Sequence, residues 1–422
     1  MAELDYSILS TDQQNALKTF SDWWFSKKET TENRFFKLGG LAGTGKTFLL
    51  KYILDTTGLK EDSVLWGAFT GKAALVMNRK GIPATTLHRM IYQIDQEELA
   101  KGKLVFYKKP ELGENIELIV VDEASMVSEE IHNDLLSYEV PILYIGDYFQ
   151  LPPVDSNFNL MEERNLNAKL SQIQRQALEN PIIKWSMLVR ERMRLPLGIE
   201  KNTIGRIYFD DIKESSFLNA NQIICGKNAT RIEANKDMRE LLGFEGELPQ
   251  KGEKLIVTRN NYGKGVINGQ HIKLVNDAEK ISSIAFNGSY VSEDEEDEWK
   301  NFSKVELTEA DKKLLELDYQ GLSVAETTHK MNLELSLLNP FQHTDQFSAR
   351  CYIPSDYKMT LDEMRSFIQS DYGYVITCHK AQGSEWPNVL VLDDGFGRGE
   401  IRDRWLYTAI TRASQKLIIG IL

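Results

Sequence analysis

The sequence predicts an α/β chain in which a parallel sheet flanked by helices is built twice. Three observations carry that prediction. Gly40 to Thr47 reads GLAGTGKT, a match to G-x-x-x-x-G-K-[ST], and it lies between a short apolar strand and a helix-spaced segment. Two further apolar strands, Leu118 to Asp122 and Ile142 to Ile145, each run into acidic or polar residues. Buried-strand candidates then recur at Tyr374 to Thr377, Val389 to Leu392 and Leu417 to Leu422, with no second glycine loop of that pattern.

The first strand spans Arg34 to Leu38 (RFFKL), and the helix spans Lys46 to Thr57. That helix carries Phe48, Leu49, Ile53 and Leu54 at helical spacing and is closed by Gly58. Between them, Gly40, Ala42, Gly43, Thr44 and Gly45 form a loop whose glycines let backbone N–H groups turn toward phosphates. Lys46 is placed to reach the β- and γ-phosphates, the Thr47 hydroxyl to ligate Mg²⁺, and the helix N-terminus faces the anion. This chemistry requires an acidic partner. LIVVDEASM supplies Asp122, to hold the metal through its water shell, and Glu123, to polarise the attacking water. The third strand leads into GDYFQLPPV, where Gln150 is an uncharged donor able to sense the γ-phosphate and two prolines stiffen the exit.

Charge developing in the transition state calls for arginines from outside the loop. Arg412 lies in WLYTAITRA, where Leu406, Ala409 and Ile410 make an apolar helix face and Thr408 and Arg412 share another. Arg175, in SQIQRQA, is the second candidate. Each is otherwise an ordinary surface arginine.

The chain has 422 residues, enough for two or three domains, and its composition, 42% apolar and 27% charged, is that of a globular protein without a membrane partner. No run approaches the roughly 18 apolar residues of a membrane span, and MAELDYS lacks the features of a signal peptide, so the cytoplasm is the expected compartment. The three cysteines, Cys225, Cys351 and Cys378, are too scattered for a disulfide framework or zinc module. A net charge of −12 argues against a broad basic face, not against a narrow basic channel, and EDEEDE at Glu293 to Glu298 reads as a solvated loop.

Taken in order, these segments resemble the motif series of superfamily 1 helicases, in the superfamily 1B branch containing RecD and the phage helicase Dda. LSxxQxxA from Leu9 resembles the Gln motif, in which Gln13 would read the adenine edge of ATP. AFTGKAA (Ala68 to Ala74) resembles motif Ia, Thr86 to Arg89 the element after it, GDYFQLPPV motif III and SQIQRQA motif IV. YVITCHKAQGSEW (Tyr374 to Trp386) resembles motif V, and YTAITRA motif VI. The resemblance implies two RecA-like domains. It assigns 1–170 to the first, with a hairpin insertion at about 88–116, then 171–250 with 370–422 to the second, and 251–369 to an SH3-like β insertion. It also implies ATP and Mg²⁺ as ligands, hydrolysis in a cleft between the domains, and 5′-to-3′ stepping on single-stranded DNA. Gly383 and Glu385 would face the ATP. Single-strand/duplex junctions and single-strand-binding or replication proteins are the implied partners of a monomer.

A translocase should grip phosphates and stack bases, since neither contact depends on sequence. Thr70 and Lys72, at the end of a strand from Val64 to Phe69, and then His88 and Arg89, offer grips on one domain; His379 and Lys380 offer them on the other. All six are otherwise polar loop residues. KGKLVFYKKP (Lys101 to Pro110) is the densest basic and aromatic stretch, and the family places a strand-separating pin there. Either Phe106 or Tyr107 stacks on DNA, or the hairpin packs its own aromatics. A translocase that strips proteins or anneals strands would carry the same motifs. A DNA-binding accessory protein with a degenerate ATPase fits less well, given intact Lys46, Thr47, Asp122, Glu123 and Arg412. An RNA helicase of the same superfamily is a third possibility, and the absence of a Cys/His-rich region argues only against the subset that carries one; a GTPase would carry N-K-x-D, which is absent.

Overall fold

The computed structural model describes residues 4–26, 34–94, 106–153, 158–174, 179–200, 203–246, 248–258, 266, 268–274, 277, 345–347 and 368–422. Arg175, Lys101 to Val105, the Asn260-Asn261 pair and the acidic run at Glu293 to Glu298 fall outside those residues. Chain contacts divide the molecule into one compact unit of 1–232 with 376–422 and a second of 233–375.

The first unit begins with α1 (Thr11–Ser26), β1 (Phe35–Gly40), α2 (Lys46–Thr57), β2 (Val64–Ala68), α3 (Gly71–Arg79), β3 (Ala84–Thr86) and α4 (Leu87–Ile91). It continues with β4 (Tyr92–Ile94), β5 (Phe106–Lys108), β6 (Leu118–Asp122), α5 (Glu129–Leu136), β7 (Ile142–Gly146) and β8 (Ala168–Leu170). Local chemistry fixes the helix ends. Ser10 and Gln13 form a capping box: the Ser10 hydroxyl accepts from Gln13 N at 3.3 Å, and Gln13 Oε1 accepts from Ser10 N at 3.0 Å. Thr70, Thr86 and Ser128 cap α3, α4 and α5 through side-chain oxygens, and Gly58, at φ 68°, ends α2 in the left-handed conformation.

The six strands β3-β2-β6-β7-β1-β8 form one sheet, and every pairing in it is parallel. Strands covered on both faces should read as unbroken apolar runs, and Leu118 to Val121 and Ile142 to Ile145 are indeed buried along their length. α1 and α2 cover one side with Phe20, Trp24, Leu49 and Ile53, packed on Phe36, Leu38 and Val120. Each such side chain contributes about 1.5–3 kcal/mol of burial. Phe48 departs from the sequence expectation: it is 38% exposed, with the Lys51 ammonium 4.5 Å from its ring centroid, because it sits on the outer face of α2.

The chain then forms α6 (Pro181–Arg190), β9 (Gly198–Glu200), β10 (Ile204–Tyr208), α7 (Glu214–Leu218), β11 (Gln222–Cys225) and α8 (Asn228–Leu241). The small unit holds β12 (Lys254–Val257), β13 (His271–Leu274), β14 (Asp345–Phe347) and β15 (Ser370–Tyr372), joined in the order β14-β13-β12-β15. Leu255, Val257, Val266, Ile272 and Leu274 form its core. β16 (Val375–Thr377), α9 (Cys378–Ala381), β17 (Trp386–Asp393), α10 (Glu400–Ile410) and β18 (Ala413–Ile421) complete the chain. They build a second six-stranded sheet, β16-β11-β17-β18-β10-β9, in which β11, β17, β18 and β10 pair in parallel and β9 runs antiparallel.

His132 on α5 locks the edge of the first core. Its Nδ1 lies 2.9 Å from the Tyr144 hydroxyl and its ring packs on Phe35 and Phe158. Burial, with a smaller push from Lys37, lowers its pKa to about 4. The folded state therefore refuses a proton that the unfolded chain accepts at about pH 6.5. Stability should be full above pH 6.5 and decline as pH falls toward about 4. His132→Gln is expected to flatten that decline in thermal unfolding measured across the window; an unchanged acid slope would contradict the assignment.

Candidate active site

Parallel pairing brings the C-terminal ends of β1, β2, β6, β7 and β8 to one edge of the first sheet. The phosphate loop follows β1, and Gly43 and Gly45 adopt φ of 77° and 79°, conformations that cost an L side chain steric strain. A Cβ on Gly45 would also meet Gln13 Nε2 at 2.7 Å. Thr44 is fully buried, its hydroxyl donating to Leu41 O at 2.8 Å. The Lys46 ammonium donates to Gly40 O at 2.7 Å and Leu41 O at 3.1 Å, while Thr47 is exposed at the start of α2.

Gln13, expected at the adenine, has both ends of its amide engaged. Its Oε1 completes the capping box and its Nε2 donates to Thr44 O at 3.2 Å, so it braces α1 against the loop. The S-x-x-Q spacing announces the cap; the brace joins residues far apart in sequence. The segment after β8 is held similarly. Asp12 Oδ2 accepts from Ser171 N and Gln172 N, and Gln174 N donates to Gly43 O at 3.0 Å. Arg175, the next residue, lies outside the described residues.

Asp122 ends β6, and Glu123 follows at φ 53° and ψ 40°, a left-handed conformation that costs a non-glycine residue about 1–3 kcal/mol. Asp122 Oδ1 accepts from Glu123 N at 2.9 Å, which helps hold that turn. Burial pushes both carboxyls up, and Asp122 pushes Glu123 further, while the Arg412 and Lys46 charges pull Glu123 back down. Gln150 Oε1 and Ser125 Oγ are buried without a hydrogen-bond partner. Buried orphans of this kind call for a polar ligand. Together with the glycine loop and the acid pair they fit a nucleoside triphosphate with Mg²⁺, which Lys46, Thr47 and Asp122 would hold.

The second sheet supplies the other wall of the site. α10 presents Arg404, Tyr407 and Thr408 to the segment after β7, at i, i+3 and i+4 spacing. The Arg404 guanidinium donates to Tyr148 O at 2.7 Å and Gln150 O at 3.2 Å; the Thr408 hydroxyl accepts from Leu151 N at 3.0 Å. Tyr407, 1% exposed, donates its hydroxyl proton to Asp147 Oδ2 at 2.8 Å and accepts from Ala42 N, in the phosphate loop, at 3.0 Å. Burial and the Asp147 charge hold the phenol well above its ordinary pKa, so it remains a donor. The expected apolar face of Leu406, Ala409 and Ile410 is too narrow. Trp405, Tyr407, Thr408, Ala409 and Ile410 are all buried, while Leu406 is half-buried, because α10 packs against both α6 and the segment after β7.

Arg412 lies just past the end of α10 and is 6% exposed. Its Nε donates to Thr408 O at 3.0 Å, Nη1 to Ser384 O at 3.1 Å and Nη2 to Thr411 Oγ1 at 3.0 Å. Gly383, at φ 69°, allows the preceding loop to approach; a Cβ there would meet Thr70 Oγ1 at 2.9 Å. Gln382 Nε2 donates to Leu151 O at 2.9 Å, and Glu385 is exposed. Tyr407, Asp147 and Arg404 were given no role by the sequence; of these, only Arg404 had a readable signal, four residues before Thr408 on the face that Thr408 shares with Arg412.

The expected DNA contacts separate into two groups. His88 and Arg89 on α4 and Lys380 on α9 are exposed, His379 is half-buried against Phe396, and Thr70 caps α3. Phe106 and Tyr107, in the β4–β5 hairpin, are 58% and 44% exposed, so neither ring is packed away. Tyr138 donates to Ile91 O at 3.0 Å and Lys109 O at 2.8 Å, bracing the hairpin base. Lys72, expected as a phosphate grip, is half-buried, and its ammonium lies 4.1 Å from the Trp386 ring centroid, where α3 faces the start of β17. Burial there, then the Arg412 and Arg79 charges, lower its pKa to about 7.

An AAA domain model matches residues 9–201, and a UvrD-like helicase C-terminal domain model matches 372–419. The ATP-dependent RecD2 DNA helicase of Deinococcus radiodurans is 26% identical over 390 residues, covering 91% of this chain and 46% of the relative. The chain thus spans about half the length of that relative. The RecD subunit of the RecBCD enzyme from Buchnera aphidicola subsp. Schizaphis graminum is 22% identical, covering 97% of this chain and 75% of the relative. Pif1 helicase from Candida albicans aligns structurally over 98% of this chain and 95% of its own, with 16% identity and a TM-score of 0.47.

Tyr407→Phe keeps the ring, which packs edge-on against Phe149 at 5.1 Å, and removes the hydroxyl. It leaves Ala42 N–H and Asp147 each short of a partner, which should lower stability by about 1–3 kcal/mol in urea unfolding. An unchanged midpoint would mean that the bridge contributes nothing.

Proposed function

Because the chain belongs to the RecD- and Pif1-like superfamily 1B helicases, we propose that it is an ATP-dependent DNA helicase that steps along single-stranded DNA, 5′ to 3′, and separates duplex ahead of it. The observation that carries this reading is Arg412. A residue of the second sheet is buried with its charge felt at Glu123, beside Lys46 of the first. One hydrolytic site therefore draws on both halves of the chain.

In this reading the glycine loop from Gly40 to Gly45, with Ala42, Gly43 and Thr44, wraps the phosphates of the substrate ATP, and Lys46 and Arg412 neutralise the charge that develops on the terminal phosphate. Arg175 joins them from the segment that Gln174 ties to Gly43. Glu123 accepts a proton from the attacking water, and Gln150 holds that water with its buried, partnerless amide oxygen, or the terminal phosphate with its amide N–H. Mg²⁺, held by Thr47 and by Asp122 through water, would offset charge on the phosphates. Gln13, Gly383 and Glu385 bound the nucleotide.

Residues 1–170 act as the first motor domain, with the insertion near 88–116. Residues 171–250 and 370–422 form the second, and 251–369 the SH3-like insertion. Thr70, His88 and Arg89 grip DNA on the first, and His379 and Lys380 on the second. Alternating closure converts turnover into steps. The protein works as a monomer in the cytoplasm, alongside single-strand-binding and replication proteins, and among the described residues no helix is long and apolar enough to cross a membrane.

Glu123→Gln is expected to bind ATP with wild-type affinity and to lose turnover by about a hundredfold or more; normal turnover would overturn the role given to Glu123. Duplexes carrying a 5′ or a 3′ single-stranded tail test direction. Unwinding should require the 5′ tail, and preference for a 3′ tail would reverse the polarity. Replacing Phe106 and Tyr107 together with alanine should reduce unwinding far more than DNA-stimulated ATPase. Equal losses in both would remove the pin.

A further inference from the structure

We propose that Lys72 is a positioning residue that fixes Arg412 through Trp386, rather than a ligand of DNA phosphate; this rests on the helicase reading above. Three contacts lead to it. The Lys72 ammonium lies over the Trp386 indole at 4.1 Å from the centroid, a distance at which a desolvated cation is held firmly by the ring quadrupole. Trp386 is in turn joined to the arginine: its backbone N–H donates to Arg412 O at 2.8 Å, and Trp386 pairs with Ala413 in the sheet. The Arg412 guanidinium closes the loop by donating to Ser384 O, two residues before Trp386. A shift of Trp386 against Lys72 is therefore a shift of Arg412 against Glu123.

The same segment meets motif Ia a second time: a Cβ on Gly383 would meet Thr70 Oγ1 at 2.9 Å and Glu123 Cγ at 4.0 Å, so only glycine leaves room for that approach. Thr70 and Lys72 thus face the second sheet from the N-terminal turn of α3, one by backbone approach and one by charge. A phosphate ligand needs its ammonium at the surface, where binding releases a counterion from the DNA. The Lys72 ammonium instead lies over the Trp386 ring on a half-buried side chain, with Arg412 and Arg79 as nearby cations.

The experiment compares the wild type with Lys72→Met, Lys72→Arg, Trp386→Phe and the Lys72→Met/Trp386→Phe double variant, using a labelled oligothymidylate and ATP. Lys72→Met is expected to bind the oligonucleotide within about twofold of wild type, with an unchanged slope of log affinity against log salt. Its kcat at saturating DNA should fall about tenfold or more with KM for ATP nearly unaltered. Lys72→Arg, which also stacks a cation on indole, should restore most of kcat. A salt slope reduced by about one, with kcat intact at saturating DNA, would make Lys72 a phosphate ligand and overturn the proposal. The contact is also read without any activity: in thermal unfolding the two single substitutions should be non-additive in the double variant, and additivity would overturn it. Absence of DNA-stimulated turnover in the wild type would defeat the helicase reading instead, and the unfolding cycle would still decide the contact.

Discussion

The site depends on the docking of one helical face, Arg404, Tyr407 and Thr408 of α10, onto the segment from Asp147 to Leu151. These contacts are polar and largely buried, and their partners lie in the other sheet. Such bonds discriminate sharply. Made, each contributes modestly; left unmade in a dry interior, each costs about 1–3 kcal/mol. Tyr407 is the most constrained member, since one hydroxyl serves the phosphate loop and the strand-end carboxylate Asp147 together.

Parallel topology explains why so few residues suffice. When every strand of a sheet points the same way, the loops after β1, β2, β6, β7 and β8 meet at one edge without long excursions. The site then needs only local devices: left-handed glycines in the phosphate loop, a strained turn at Glu123, and threonine caps that start α3 and α4. The second sheet meets that edge with the beginnings of β17 and β18, where Ser384 and Trp386 hold Arg412. A charge delivered this way is present only while the two sheets are in register.

Features encoded locally were legible in the sequence. The strand, loop and helix from Phe35 to Thr57, the strand ending at Asp122, and the Gly58 stop are each decided by neighbours a few residues apart. Burial on both faces made β6 and β7 readable as apolar runs, and parts of β16, β17 and β18 likewise, whereas β10 and β11 were not read. What escaped were interactions whose partners are remote. Gln13 announces a cap, but its bond to Thr44 depends on how α1 lies across the loop. Lys72 has the composition of a surface grip, and its placement over the Trp386 ring depends on a partner more than 300 residues away. Tyr407 reads as one more apolar position on α10; its hydroxyl acquires meaning from Asp147 and Ala42 in another part of the chain.

The central claim is that catalysis in the first half of the chain requires a charge from the second. It is tested most directly by nucleotide affinity and DNA-stimulated ATP turnover in Arg412→Ala. Affinity should change by no more than a few-fold, while kcat falls by about a thousandfold, the scale on which arginines of this kind act in phosphoryl transfer. Turnover within a few-fold of wild type at saturating ATP and DNA would contradict the account.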